Sequence, residues 1–226
     1  MSTYGEIVYM ILDEVKGMSD DFTYNEEHIL YLIDKTRALL LKQRYSDIKK
    51  QIPYANYQTI YVTTKESALA DDALYTSAKY LKTDSKIPEI LTIATPRVFT
   101  TDYYQGEITY ISRDRMRYVG YNKYLKNIIY CSLHPDKYLY FKSFNDKLLE
   151  VKSINFTAVF QSSLEALKLY QNKQEVLDTE FPMEESLIQP LIELVVNELT
   201  NAIYKPEDTT NNAKDDLEGL AVKTSK

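Results

Sequence analysis

The chain has 226 residues and a formal net charge of −6, a length that fits one domain or a single core with a large insertion. Its one cysteine, Cys131, excludes an intrachain disulfide, and its five glycines include no Gly-rich phosphate loop, which excludes nucleotide binding of the Rossmann or P-loop type. No stretch approaches the roughly 20 apolar residues that span a membrane, and no secretory signal opens the chain. We therefore expect a protein that is made in a reducing cytoplasm and has no membrane partner.

Residues 1–52 predict two helices. Thr23 and Glu26 have the spacing of a capping box, which predicts the start of a second helix that runs to about residues 45–48. Leu39 widens the apolar stripe of this second helix. The first helix has its own apolar stripe, formed by Ile7, Val8, Ile11, Leu12 and Val15. The pair is expected to form a helical hairpin.

Residues 53–161 have the composition of an inserted, mostly antiparallel β-domain. Runs rich in β-branched and aromatic residues predict its strands. These runs cover residues 59–64, 86–99, 107–111, 127–133, 137–143 and 148–160. A short helix is predicted within residues 68–81, and Ser112 is placed to cap another. His134-Pro135-Asp136 predicts a tight hairpin connection.

Residues 162–204 return to helical spacing and end in a helix that is apolar around most of its girth. We expect this helix to begin between Pro182 and Pro190, where a missing N–H costs least. Its main stripe comprises Ile188, Leu191, Ile192, Val195, Leu199 and Ala202. A second set, off this stripe, comprises Leu187, Leu194, Val196 and Ile203. Because such a helix is buried on more than one side, its second face should meet the β-domain or another subunit.

The predicted fold class is therefore α+β. The N-terminal helical hairpin (1–52) and the C-terminal helical part (162–204) form a helical core, and residues 53–161 form the inserted β-domain. Residues 205–226 are a polar tail, which we expect to be flexible or ordered by a partner.

No constellation of residues points to catalysis, a cofactor or a metal. Cys131 and His134 are three residues apart, but a structural zinc site needs four ligands and the remaining histidine, His28, is distant in sequence. We expect Cys131 to be a buried strand residue and His134 a turn residue. The chain is predicted not to be an enzyme.

A basic stretch interleaved with tyrosines stands out within the β-domain. Its basic residues are Arg113, Arg115, Arg117, Lys123 and Lys126, and its tyrosines are Tyr118, Tyr121 and Tyr124. One hypothesis is a contact surface for an acidic protein neighbour. The alternative is a nucleic-acid-binding accessory protein, since basic grooves with stacking rings bind single strands, although the net acidity of the chain opposes a phosphate-driven affinity.

The order of the elements, together with one long run, resembles a known family. The run "EFPMEESLIQPLIELVVNELTNAIYKPEDTTNNAKDD" resembles the C-terminal end of head-to-tail connector proteins of tailed bacteriophages, and it looks most like the ring (adaptor) proteins of crAss-like podoviruses that infect Bacteroides. The matching pieces are "FP", "NEL" and "PEDTTNNAKDD", and "YLKTDSKIPEI" and "FTAVFQSS" lie where that family has corresponding β-domain segments. The segment "VFQSS" departs from the pattern, since it lacks a proline often found there.

The resemblance implies a virion structural protein of the neck or tail. Such adaptors form a symmetric ring, commonly of twelve copies, docked beneath the portal and linking it to the tail. The implied partners are other copies of the chain, the portal and further neck or tail proteins. Genomic DNA can pass through such a ring without being specifically recognised. The expected contact residues are Leu187, Leu194, Ile203, Tyr204, Asp208, Asn211 and Asn212.

Overall fold

The computed structural model describes residues 2–18, 25–47, 50–67, 80–101, 108–119, 123–170 and 175–203, and within them the chain forms four α-helices and seven strands. The helices are α1 (Tyr4–Met18), α2 (Glu26–Arg44), α3 (Ser163–Leu167) and α4 (Ile188–Ile203). The strands are β1 (Gln58–Ser67), β2 (Tyr80–Thr83), β3 (Arg97–Thr100), β4 (Ile108–Tyr110), β5 (Ile129–Leu133), β6 (Leu139–Lys142) and β7 (Ser153–Ala158). The predicted α+β class is confirmed.

Over the described residues, the seven strands form one sheet in the order β3-β7-β1-β2-β6-β5-β4. Paired strands run antiparallel, apart from β4 and β5, which are parallel. The two end strands, β3 and β4, also contact each other, so the sheet curls nearly into a barrel. Its apolar interior is separate from the helical core and is centred on side chains such as Ile60, Phe141 and Phe156.

The helical core is built around α4, which packs against both α1 and α2. The main stripe of α4 is buried as predicted, with Leu191 and Val195 fully inaccessible to solvent. Leu91 and Val159, which flank the sheet strands, enter the same cluster. Within the chain, α4 is buried along one broad face, whereas Gln189, Glu193, Leu194, Asn197 and Glu198 are exposed. The prediction that α4 is buried on more than one side is therefore wrong for the single subunit, and contact of its other side with another subunit stays a prediction.

The starts of the helices follow local capping chemistry. α4 begins at Ile188 after a 3₁₀ turn, so Pro190 falls in its first turn, as expected. The predicted capping box of Thr23 is wrong, because Asn25 is the N-cap of α2 and its side-chain oxygen accepts a hydrogen bond from the Glu27 N–H.

A capping box occurs instead at the start of α1. The Glu6 N–H donates to Thr3 Oγ1 at 3.2 Å, and the Thr3 N–H donates to Glu6 Oε2 at 3.0 Å. This reciprocal pair fixes the first turn of α1.

Two local predictions within the β-domain need correction. Tyr80–Thr83 is strand β2 rather than the end of a helix, because it pairs with both β1 and β6; the rest of that predicted helix lies outside the described residues. Ser112 precedes a 3₁₀ helix over Arg113–Arg117, but its side chain makes no capping hydrogen bond. The hairpin prediction is confirmed by a turn in which the Lys137 N–H donates to the His134 carbonyl at 2.9 Å.

A fully buried arginine connects the helical core to the entry and exit of the β-domain. Arg37 of α2 donates to three backbone carbonyls: Nε to Pro182 at 2.9 Å, Nη1 to Phe160 at 2.9 Å and Nη2 to Asn56 at 3.3 Å. These carbonyls lie ahead of α4, after β7 and ahead of β1. Burial lowers the pKa of Arg37, yet an arginine stays protonated at neutral pH, so each bond is charge-assisted.

The buried carboxylate of Asp34, one turn before Arg37, fixes the position of α3. Asp34 Oδ1 accepts from the Ser163 N–H at 2.7 Å and from Ser163 Oγ at 2.5 Å. The Tyr4 hydroxyl of α1 donates to Ser163 Oγ at 2.6 Å, and burial raises the pKa of Tyr4, so its proton is retained. One polar network therefore connects α1, α2 and α3 beneath the surface.

Replacing Arg37 with Met should destabilise the fold strongly. The change leaves the carbonyls of Asn56, Phe160 and Pro182 without their charged donor. Leaving a buried polar group unsatisfied typically costs about 1–3 kcal/mol, so we expect the free energy of unfolding measured by urea titration to fall by about 3 kcal/mol or more.

Arg44→Met, on the same helix, is the matched control. Arg44 is half-exposed and pairs with Glu184 at 2.8 Å, and a pair of this kind contributes about 1 kcal/mol or less. Equal losses for the two variants would show that the buried contacts of Arg37 are not what holds the two parts together.

Candidate assembly surfaces

The outward side of α2 is a narrow strip on an otherwise buried helix. Between Ile29 and Leu41 the exposed side chains are Tyr31, Lys35 and Leu39, spaced four residues apart. Lys42 continues the strip by one turn. Tyr31 is 60% exposed and Leu39 is 50% exposed. We call Tyr31, Lys35, Leu39 and Lys42 the α2 strip.

Leu194 of α4 extends the α2 strip across a second helix. Lys35 Nζ lies 3.3 Å from Glu198 Oε1, and at the opposite end Arg44 pairs with Glu184, so α2 and α4 run antiparallel. Leu39 follows Lys35 by one turn and Leu194 precedes Glu198 by one turn, which places both leucines on the same side of the bridge. Leu194 is 42% exposed, so the two leucines form an apolar surface that water reaches.

A groove of about 620 Å³ runs beside the α2 strip. Tyr31, Lys35, Leu39 and Lys42 line one side, and Gln161, Ser162, Leu164 and Glu165 line the other. The hydrogen bonds from Ser163 to Asp34 lie beneath it and hold the second side against α2. The groove is therefore a preformed feature of the surface.

The basic-tyrosine stretch is a second exposed surface, held from below by a buried lysine. Lys142 of β6 is almost fully buried and donates from Nζ to the Met116 carbonyl at 3.1 Å. Met116 is itself fully buried, so the 3₁₀ helix is fixed to the sheet while its neighbours point outward. Tyr118 and Tyr124 are among the most exposed aromatic side chains described.

Among the basic residues of this surface, Arg113, Arg115 and Lys126 are exposed. The side chains of Arg117 and Lys123, and the whole of Tyr121, lie outside the described part of the chain. The structure thus exposes three of the predicted basic residues and two of the predicted tyrosines.

Of the predicted contact residues, Leu194 lies on an exposed face and Leu187 does not. Leu187 is 6% exposed and belongs to the chain's own helical core, so its prediction as part of a second, outward face is wrong. The reason is local: Leu187 lies in the 3₁₀ turn before α4, where the helical spacing to Leu194 no longer applies. Ile203 ends α4, but its side chain is not among those described. Tyr204, Asp208, Asn211 and Asn212 fall outside the described residues.

Two exposed apolar positions on α2 were not expected from the sequence. Leu39 had been assigned to the buried stripe of α2 on its spacing, whereas the structure exposes half of it. Tyr31 carried no prediction. The sequence contains part of the signal for this exposed side. Tyr31, Lys35 and Leu39 recur every four residues and so lie on one side of the helix, and the lysine indicates that this side faces solvent.

The structure also locates the residues that were considered for metal or thiol chemistry. Cys131 is a fully buried residue of β5, as predicted, and burial raises the pKa of its thiol. His134 is in the hairpin turn, with its ring centroid 4.2 Å from that of Tyr140. In the described ranges, no group of three or more His, Cys, Asp or Glu residues is arranged to hold a metal ion, and no helix is both long and apolar enough to cross a bilayer.

Comparison with known proteins gives these surfaces a context. Residues 6–217 match the family described as phage tail ring protein 2. The chain is also 50% identical over 220 residues to "Ring protein 2" of Bacteroides phage crAss001, an alignment that covers 95% of this chain and 98% of that protein.

These matches define a class first: the chain is a structural ring protein of a tailed bacteriophage, and it is located in the virion. Within that class, the chain belongs to the phage tail ring protein 2 family. The resemblance to crAss-like ring proteins that the sequence motifs suggested is confirmed.

Aspartate substitutions at two leucines of α4 should separate folding from assembly. Leu194→Asp should leave the isolated chain folded, because the new carboxylate reaches water. On assembly it would bury a charge without a partner, at a cost of several kcal/mol per interface. Leu191→Asp places the same charge in the helical core and should unfold the chain. Circular dichroism reports the first property and sedimentation the second.

The contrary outcome is equally clear. If Leu194→Asp sediments like the wild-type assembly, the exposed side of α4 does not lie between subunits.

Proposed function

We propose that the chain is a ring (adaptor) subunit of the virion neck that links the portal to the tail. Its ring consists of copies of the chain, twelve in number, and genomic DNA passes through the opening. Membership of a phage tail ring family supports the ring, and the exposed apolar surface of Leu39 and Leu194 supports lateral contacts through the helices. We assign the protein a structural rather than a catalytic role.

Within the subunit we propose that the helical part and the sheet part have different roles. Residues 1–52 and 162–204 act as the helical unit that contacts neighbouring copies, and residues 53–161 act as the β-unit that presents surfaces to other neck or tail proteins. Two separate clusters of buried apolar side chains, one helical and one within the sheet, support this division. The tail, residues 205–226, reaches from the end of α4 to a neighbouring copy, the portal or the next ring.

Removing residues 208–226 tests the role of the tail. We expect the melting temperature of the isolated protein to change little and its association with the portal to weaken, since the deleted segment carries few apolar groups that could contribute to a core. Light scattering of the full-length and shortened proteins, each with and without portal, measures the association. A large loss of melting temperature would place the tail in the core and contradict its proposed role as a connecting segment.

A second candidate function, nucleic-acid binding, is favoured by one observation. Arg113, Arg115 and Lys126 are exposed, as are the rings of Tyr118 and Tyr124 in the same stretch of chain, and exposed cations and rings are the groups that contact phosphates and stacked bases. The same surface suits an acidic protein neighbour, and we favour that hypothesis because the chain as a whole is acidic.

Changing Arg113, Arg115 and Arg117 together to Ser distinguishes the two hypotheses. If the surface contacts protein, neither the wild type nor the variant is retained on DNA at physiological salt. If it binds nucleic acid, the wild type shows an affinity that falls steeply with salt, and the variant loses that affinity. Tight, salt-sensitive binding of single strands by the wild type would favour the nucleic-acid function.

A further inference from the structure

The outer side of α1 carries the complement of the α2 strip. The exposed residues of α1 form one arc of Glu6, Tyr9, Met10, Asp13, Glu14, Lys16 and Gly17. Lys16 lies at the edge of this arc, next to Tyr9, and we call the other six residues the α1 face. Tyr9 is 72% exposed and Met10 is 45% exposed. Carboxylates flank these apolar side chains on the α1 face, whereas lysines flank Leu39 on the α2 strip.

The two surfaces match in register as well as in charge. Steps of three or four residues are one helical turn, and the α1 face presents an acid, an apolar residue, an acid and a glycine at four positions separated by three such steps. Read in the opposite direction, the α2 strip gives Lys42, Leu39, Lys35 and Tyr31. An antiparallel alignment therefore sets Glu6 against Lys42, Met10 against Leu39, Asp13 and Glu14 against Lys35, and Gly17 against Tyr31. A parallel alignment would set Met10 against Lys35 and the carboxylates of Asp13 and Glu14 against Leu39.

Gly17 fits the last position of this alignment. A Cβ built at Gly17 would meet no atom within 4 Å, so the space above it is open. The ring of Tyr31 is large and mostly exposed, and a helix surface without a side chain lets such a ring lie close to the backbone. The exposed Lys35–Glu198 pair does not prevent this contact, because a surface pair of this kind is weak and rearranges readily.

The location of the surfaces suits a ring. α1, α2 and α4 pack around one shared apolar core, so the outer sides of α1 and α2, which point away from that core, face different directions. A contact between two different patches of the same chain is heterologous, and such contacts generate closed rings when the rotation between copies closes.

We propose that the α1 face of one copy docks antiparallel along the α2 strip of the next copy. This deepens the proposed ring function and rests on it: it names the two surfaces, their orientation and the residues that face each other.

Disulfide trapping between two singly substituted proteins tests the alignment. Met10→Cys and Leu39→Cys proteins, mixed and oxidised with diamide where the wild type assembles, should give a disulfide-linked pair of the two. The native Cys131 does not compete, since it is fully buried and burial raises the pKa of its thiol. The matched control pairs Met10→Cys with Tyr31→Cys, which lies eight residues, or about 12 Å, further along α2, beyond the reach of a disulfide.

We expect the Met10–Leu39 pair to form at least about tenfold more product than the control pair, because the register separates their Cα distances. Equal yields from the two pairs would overturn the alignment. Efficient linkage of either variant with itself would also overturn it, because that outcome requires a contact between identical patches.

Charge reversal gives a second, independent readout. The double variants Asp13→Lys/Glu14→Lys and Lys35→Glu/Lys42→Glu should each stay folded by circular dichroism yet fail to assemble, since each then presents two surfaces of like charge. An equimolar mixture should assemble again with the two variants alternating, because the reversed α1 face of one variant then meets the reversed α2 strip of the other, and their native surfaces also meet. Assembly of either variant alone would overturn the docking while leaving the proposed ring intact. A wild type that forms no ring, alone or with portal, would instead contradict the proposed function and the docking together.

Discussion

The buried guanidinium of Arg37 is the contact on which the relation between the helices and the sheet depends. Its three donors reach carbonyls in segments that lie ahead of β1, after β7 and ahead of α4. Apolar packing alone would not fix the positions of these three segments relative to α2, because the hydrophobic effect is not directional. A planar, fully charged fork fixes them instead, because each carbonyl must lie along a particular N–H bond.

In the resulting helical layer, the inward sides of the helices are buried, and two outward sides remain exposed to solvent. The main stripe of α4 packs against α1 and α2, so the chain buries this apolar stripe without a partner. The strip on α2, with Leu194 beside it, and the outer side of α1 are left over, each a single line of apolar groups flanked by charge. Exposed apolar surfaces this narrow do not destabilise a soluble subunit. Their pattern of apolar and charged residues can nevertheless fix the register and the direction in which a neighbouring helix docks.

Much of the fold could be predicted from sequence because helical and strand periodicities are local properties. The apolar stripe of α4, the hairpin at His134 and the burial of Cys131 followed from spacing and turn chemistry. The capping box of α1 was also readable in Thr3 and Glu6, although the prediction assigned a box to Thr23 instead.

The remaining features depend on contacts between distant residues, which spacing does not encode. Nothing local marks Arg37 as buried, since its partners are carbonyls that only the folded chain brings together. Leu39 and Leu187 were assigned to the wrong environments for the same reason: one has the spacing of a core residue but faces outward, and the other precedes the helix and turns inward. Strand β2 was missed because its four residues are held by pairing on both sides rather than by propensity.

Electron cryomicroscopy of the assembled ring tests the central claim, assembly through the helical layer, most directly. The expected map shows a closed ring in which α2 and α4 of each subunit, at Leu39 and Leu194, are covered by helix α1 of the next copy. A closed ring in which Tyr31, Leu39 and Leu194 face solvent, with subunits joined through the β-domains alone, would contradict it.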